Sequence, residues 1–316
     1  MALSGVWPAG WSSQAGGHYA APWAGLPLVD LSWPLFVRAA PMPLFLEPVS
    51  NIATGGPLSI NLAGILPERV GPLPIDAVHR LEISADERPC MLGEIFHASG
   101  RAADGVIECR GDFSRVHFLA AGMAQGHVVV RGTIGRHAAE GMTGGRLDVQ
   151  GDAGDWLAAE LAGGRVRIAG RAGDNVCGSR PGSEHGMQGG LVVVSGDVGC
   201  LAGGRMRRGL LAVGGACGEA VGFELRSGTL VVGGTVGRQP GLGMRRGSIV
   251  CLADRPTIPA CFRRGTAWTP PFLPVLFRRL ARARFQPATR MPVRWRQWHG
   301  DLLEGCRGEI LHPESP

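Results

Sequence analysis

The residues that could do chemistry are the acids, the histidines, the cysteines and a dense run of arginines. Acid–base catalysis or calcium binding on a β scaffold needs two or three carboxylates gathered on one face. Asp112, Asp152 and Asp197 recur in one column of a repeat, but Thr133, Arg171, Ala216 and Thr235 take that column's other rows. No two of those acids are on adjacent rows. In a neighbouring column Asp148 is followed one row later by Arg167. Such acids read as surface ladder residues in cross-row pairs worth roughly 0.2–1 kcal/mol each, not as a catalytic cluster. His117, His127 and His137 are spaced by ten, which does not stack them on a 19-residue period. The eight cysteines (90, 109, 177, 200, 217, 251, 261 and 306) contain no CxxC pair, which argues against a zinc site or a disulfide framework and for a reducing cytoplasm. There is no nucleophile elbow and no GKS/T phosphate loop. The sequence therefore assigns no catalytic, cofactor-binding or metal residue to the chain.

The arginines point to partners. All the positive side-chain charge is arginine, and the net charge is +6. Ten arginines and no acid lie between Arg255 and Gly300, interleaved with tryptophan, phenylalanine and proline. That mixture suits docking on another protein, with Arg and Trp as anchors, better than phosphate neutralisation along a nucleic acid. Arg263, Arg264, Arg278, Arg279 and Arg282 are the docking candidates there. Arg180, Glu184 and His185 are candidates in a second place, an insertion within the repeat.

What positions these residues is the repeat itself. The glycines that end each short apolar run, Gly111, Gly132, Gly151, Gly170, Gly196, Gly215 and Gly234, with Ala253 in the eighth place, step by 21, 19, 19, 26, 19, 19 and 19. Six residues earlier every one of the eight rows has glycine, from Gly105 to Gly247. Two columns between them are wholly apolar, as in Ile107 and Cys109 or Val192 and Val194, and the column separating those two is mixed. That alternation is a strand with one face buried. A Met/Leu column (Met123, Met142, Leu161, Met187, Met206, Leu225, Met244) recurs nine before the anchor. A 19-residue unit cannot bury its own apolar face, so the expectation is a mainly β solenoid of about eight parallel rows over 105–253. Val194→Asp is expected to bury an unpaired charge, and Val193→Asp, on the outward column, to be mild.

Flanking segments complete the plan. Residues 1–41, rich in Trp, Pro, Gly and Ala, read as disordered or as a mis-assigned start. Residues 42–104 read as a cap on the first row, with a strand at Leu58–Leu62, a short helix at Ile75–Leu81 and a second strand at Met91–Phe96. Residues 254–316 read as a basic capping and docking segment, with an amphipathic helix over Val275–Phe285 and a closing strand. No apolar run reaches the length of about 18 residues that a membrane span needs, and the start lacks a signal-peptide pattern.

Three features together carry a resemblance: the Gly-x-x-Gly corners with the Met column, the insertion Pro181-Gly182-Ser183-Glu184-His185-Gly186-Met187-Gln188-Gly189-Gly190, and the ending Gly300-Asp301-Leu302-Leu303-Glu304-Gly305-Cys306-Arg307-Gly308-Glu309-Ile310-Leu311. The chain resembles the C-subunit family of formylmethanofuran dehydrogenase, most closely its bacterial branch in the formyltransferase/hydrolase complex. The repeat alone is also similar to the C-terminal β-helix of the glutamate synthase large subunit. The resemblance implies a right-handed parallel β-helix that is a non-catalytic scaffold. The partners it implies are three other subunits: one amidohydrolase-like, one molybdopterin-type or degenerate, and one a formyltransferase. Those partners carry metal ions and bind methanofuran-type and tetrahydromethanopterin-type carriers, and this chain holds no cofactor of its own. Two other readings stay open: a subunit of a true molybdenum or tungsten formylmethanofuran dehydrogenase, and a stand-alone β-helix enzyme or polyanion binder.

Overall fold

The computed structural model describes residues 43–49, 56–253, 255–285 and 292–314. The expectation for residues 1–41 falls outside them. The repeat becomes strands β6 (Val106–Cys109), β8 (His127–Val130), β9 (Arg146–Val149), β10 (Arg165–Ile168), β11 (Leu191–Val194), β12 (Leu210–Val213), β13 (Thr229–Val232) and β14 (Gly247–Cys251). Each is hydrogen-bonded in parallel to the next, in a register that pairs equivalent repeat positions, such as Val166 with Val192 and Ile168 with Val194. These eight strands are the middle of a 13-stranded, mostly parallel sheet. A second column, Phe113, Ile134, Ala153, Ala172, Val198, Cys217 and Val236, forms parallel bridges from row to row.

Between these two columns the chain turns through a third one with an unusual backbone. Phe118, His137, Trp156, Asn175, Leu201, Ala220 and Gln239 all have φ between 54° and 61°. A left-handed conformation costs a residue with a Cβ roughly 1–2 kcal/mol. What offsets it is the row-to-row bond: the amides of Phe118, His137, Trp156, Asn175, Leu201 and Ala220 donate to carbonyls of the following row at 2.8–3.1 Å. Two residues along each row, the amides of Ala139, Ala158, Cys177 and Gly203 donate back to the preceding row at 2.7–2.9 Å.

The two glycine columns have different causes. The column from Gly105 to Gly247 adopts positive φ, 72–107°, which a side chain disfavours. The anchor column is instead a matter of close approach, since a Cβ on Gly151 would be 2.7 Å from the carbonyl carbon of Gly132. Inside, the Met/Leu column is fully buried.

The sheet's ends are covered. β1 (Leu44–Pro48) runs parallel to β6 and carries β5 (Phe96–Ser99) antiparallel on its other side. The strand expected at Met91–Phe96 is not one strand. Met91 ends β4 (Arg88–Met91), Leu92–Ile95 makes one helical turn, and Phe96 begins β5. Leu92 and Phe96 are both buried, a spacing of four that a helical turn satisfies and a strand face would not carry through consecutive residues. β4 pairs with β3 (Glu82–Ala85), then β2 (Ile60–Asn61) and β7 (Val116–His117), in a second, four-stranded sheet. Short helices α1 (Pro67–Val70), α2 (Ile75–His79) and α3 (Leu92–Ile95) lie in this segment. At the far end β17 (Gly308–Pro313) continues the parallel ladder beside β14, pairing Ile310 with Ile249. β16 (Trp295–Gly300) and β15 (Arg263–Trp268) extend it antiparallel. Asp301 fixes the ending: it is buried and accepts amides from Gly243 and Leu303 at 3.1 and 3.0 Å.

The outer face of the sheet divides in two. In β9 and β10 it carries Arg146, Asp148, Arg165 and Arg167, whereas from β11 onward it carries Leu191, Val193, Leu210, Ala212, Val231 and Val250. The apolar half is covered by helix α4 (Leu273–Arg282) and the residues just after it, and forms a second core with Leu273, Leu280, Ala283, Phe285, Trp295 and Leu311. Val193 is therefore 1% exposed, and the expectation that Val193→Asp would be mild is overturned. The expected pairing of Asp148 with Arg167 is also replaced. Asp148 takes His127 Nε2 at 2.7 Å and Arg146 Nε at 2.5 Å, from the preceding row and from two residues earlier on its own strand, although Arg167 lies directly opposite it in the register. Burial pushes the Asp148 carboxyl up, but hydrogen bonds from His127 and Arg146 outweigh it and hold the pKa at about 2. No helix among the described residues is long and apolar enough to cross a membrane.

This packing has two testable consequences. Val193→Asp should lower stability by several kcal/mol, as much as Val194→Asp, while Val129→Asp in the uncovered half of the same column should be much milder. Thermal melts of the three variants check it, and a mild Val193→Asp would contradict the seating of α4. A depressed pKa makes the Asp148 contribution fully present above its unfolded value, about 3.9, and lost as pH falls toward 2. Asp148→Asn should therefore cost about 1–2 kcal/mol at neutral pH once solvent screening of the ion pairs is counted. It should also flatten the loss of stability below about pH 4, measured by denaturant unfolding across pH.

Candidate functional site

Four aspartates on the turn side accept main-chain amides of the following row. Asp152 Oδ1 accepts the Arg171 amide at 2.7 Å, Asp155 the Asp174 amide at 3.0 Å, Asp174 the Cys200 amide at 2.7 Å and Asp197 the Ala216 amide at 2.8 Å. Each carboxylate thus spans to the following row. Its remaining oxygen faces solvent or an arginine, as Asp197 faces Arg171 at 3.8 Å. Among the described residues no three His, Cys, Asp or Glu side chains are grouped to hold a metal ion. Cys109, Cys177, Cys217 and Cys251 are buried in the core, and burial pushes their thiols up, that of Cys251 to about 12.

The insertion is tied down from both sides. Arg180 reaches back to two preceding rows, meeting Glu160 at 2.7 Å and Glu140 at 3.4 Å, while its own amide donates to Glu160 at 3.2 Å. Burial raises the Glu160 pKa, but the bonds from Arg180 and Ser183 outweigh it and the net direction is down. Glu140 in turn holds His137 Nδ1 at 2.5 Å. On the other side Arg205 donates to the Ser183 carbonyl at 3.0 Å and pairs with Glu224 at 2.9 Å. Glu184 meets Arg226 at 3.7 Å, and His185 lies 3.3 Å from Arg207 and 3.5 Å from Arg226. Of the sequence-derived candidates, Arg180, Glu184 and His185 therefore share one loop, anchored by acids outside the columns considered for catalysis. Glu140 and Glu160 are twenty apart, one residue off the period, and only the three-dimensional turn brings both to Arg180.

The basic candidates sit elsewhere. Arg263 and Arg264 are exposed on β15, the outermost strand of the large sheet, where charge discourages further strand pairing. Arg278, Arg279 and Arg282 project from the exposed side of α4, whose other side packs on the apolar half of the sheet. Arg279 and Arg282 line a groove with Arg146 and Arg165 of β9 and β10.

A feature that the sequence reading missed lies on the turn side. Phe118, His137 and Trp156 stack on successive rows, with ring centroids 4.7 and 6.0 Å apart and interplanar angles of 11° and 2°. The signal was present as a spacing of 19, not the spacing of ten between histidines.

The fold has a counterpart among known proteins. No protein-family model and no curated protein matches the chain. Among solved structures, a chain of the formyltransferase/hydrolase complex (FhcABCD) from Methylorubrum extorquens, crystallised with methylofuran, is similar with a TM-score of 0.79 and 28% sequence identity, covering 86% of this chain and 100% of that one. The resemblance carried by the insertion and the ending holds at the level of the family: this chain is a structural relative of a chain of the formyltransferase/hydrolase complex.

Proposed function

We propose that the chain is a non-catalytic scaffold subunit of a cytoplasmic formyltransferase/hydrolase complex, its rows winding as a right-handed parallel β-helix of about 19 residues per coil. The single observation that carries this is the likeness to a chain of FhcABCD over nearly the whole of both molecules. The use of Asp152, Asp155, Asp174 and Asp197 as acceptors for the next row's amides supports it, because these acids serve the fold. In this reading the formyl group moves from a tetrahydromethanopterin-type carrier to a methanofuran-type carrier and is released as formate, all on partner subunits. Metal ions and carriers belong to those partners: an amidohydrolase-like chain, a molybdopterin-subunit-like chain and a formyltransferase. The anchored insertion at Arg180–His185 and the basic C-terminal segment are the contact surfaces.

Affinity purification of the full chain from its own cell extract, with the co-purifying subunits identified by mass spectrometry, tests the proposal. A formyltransferase and an amidohydrolase in fixed ratio to the chain are expected. A chain that elutes alone as a monomer would overturn it.

A further inference from the structure

We propose that the groove between α4 and the outer face of β9 and β10 is an anion-binding cleft that receives an acidic peptide segment of a partner subunit, an inference that rests on the scaffold reading for the identity of the partner. The groove, about 530 Å³, lies where α4 leaves the apolar half of the sheet and the charged half begins. Four guanidinium groups line it, Arg146 and Arg165 from the sheet and Arg279 and Arg282 from the helix, over the backbone of Gly145 and Gly164. Arg146 and Arg165 are directly opposite in the parallel register. Like charges in that position repel, so the fold places them there at a cost that an anion between them would relieve. Arg146 has Asp148 as an ion-pair partner, but Arg165, Arg279 and Arg282 have no carboxylate partner among the described residues. Arg167, on the same face of the same strand as Arg165, buries its Nε without a hydrogen-bond partner.

The spacing suits a chain with repeated carboxylates. The sheet pair is separated by one strand spacing, about 4.8 Å, and the helix pair by three residues, which neighbour each other on a helix surface. Guanidinium forks match carboxylates in two-point contact. A nucleic acid fits less well: Phe277, Phe285 and Trp295 pack into the sheet's second core, leaving no exposed ring in the groove to stack a base. The Arg165 and Leu191 amides are donated to Gly145 and Gly164, so the guanidinium groups are the donors that an anion meets beside them.

Fluorescence anisotropy of the full chain with a short labelled peptide alternating Glu and Ser tests the site, against a Gln/Ser peptide, oligothymidylate and pyrophosphate. The Glu/Ser peptide is expected to bind in a salt-sensitive way and the Gln/Ser peptide not to bind. Arg279→Ser with Arg282→Ser should weaken binding roughly tenfold, while Arg238→Ser, exposed outside the groove, should leave it unchanged. All three arginines are exposed, so melting curves of the variants should match the parent. No peptide binding by the folded chain, equal weakening by Arg238→Ser, or tighter binding of oligothymidylate or pyrophosphate would overturn the proposal. Co-purification separates the two readings. If partner subunits co-purify equally with the parent and the double variant at every salt concentration, the groove is not a docking site though the scaffold stands; if the peptide binds but no partner chain co-purifies with the parent, the scaffold reading fails and the acidic-peptide site remains.

Discussion

Everything in this chain depends on each row handing its backbone amides to the row beside it. The inward columns alone would give apolar strands with nothing to hold their register. Register comes from equivalent positions bonding to each other, strand to strand and turn to turn. Because the constraint repeats every 19 residues, a residue placed correctly in one row is placed correctly in the next. The left-handed column from Phe118 to Gln239 shows how strongly that constraint acts. It keeps residues with side chains in a conformation they disfavour locally, since the amide at each position is bonded in every row from Phe118 to Ala220.

The same constraint explains the fate of the acids. A turn in which amides point along the stacking direction leaves some of them unmatched by carbonyls, and a short carboxylate in the preceding row is well placed to accept one. Asp152, Asp155, Asp174 and Asp197 do this. Charge collects on the two irregular additions, the insertion and the C-terminal segment.

The outer face shows how a local pattern acquires meaning only in context. Glu108, Val129, Asp148 and Arg167 are followed in the same column by Val193, Ala212, Val231 and Val250. Taken together the column is mixed and reads as solvated. Taken in order, three of its first four residues are charged and the last four are all apolar, and the change marks where α4 begins to cover the sheet. The arginines of the helix meet those of the sheet at that boundary.

The sequence by itself determined the period, the inward columns and the buried Met/Leu column, and it indicated an amphipathic helix over Val275–Phe285, which the structure places at Leu273–Arg282, and a closing strand, which the structure places at Gly308–Pro313, because each is a repeating or amphipathic pattern that local geometry enforces. The repeat corners with the Met column, the insertion and the ending together carried the family likeness. Tertiary structure alone decided that Val193 is buried, that Asp148 pairs with His127 and Arg146, that Met91–Phe96 breaks into a strand end and a helical turn, and that Arg180 clamps Glu140 and Glu160. The physical reason is common to all four. A column records what a residue faces only if the same neighbour lies over every row, and here a helix, a loop and a terminal strand each cover only some of them.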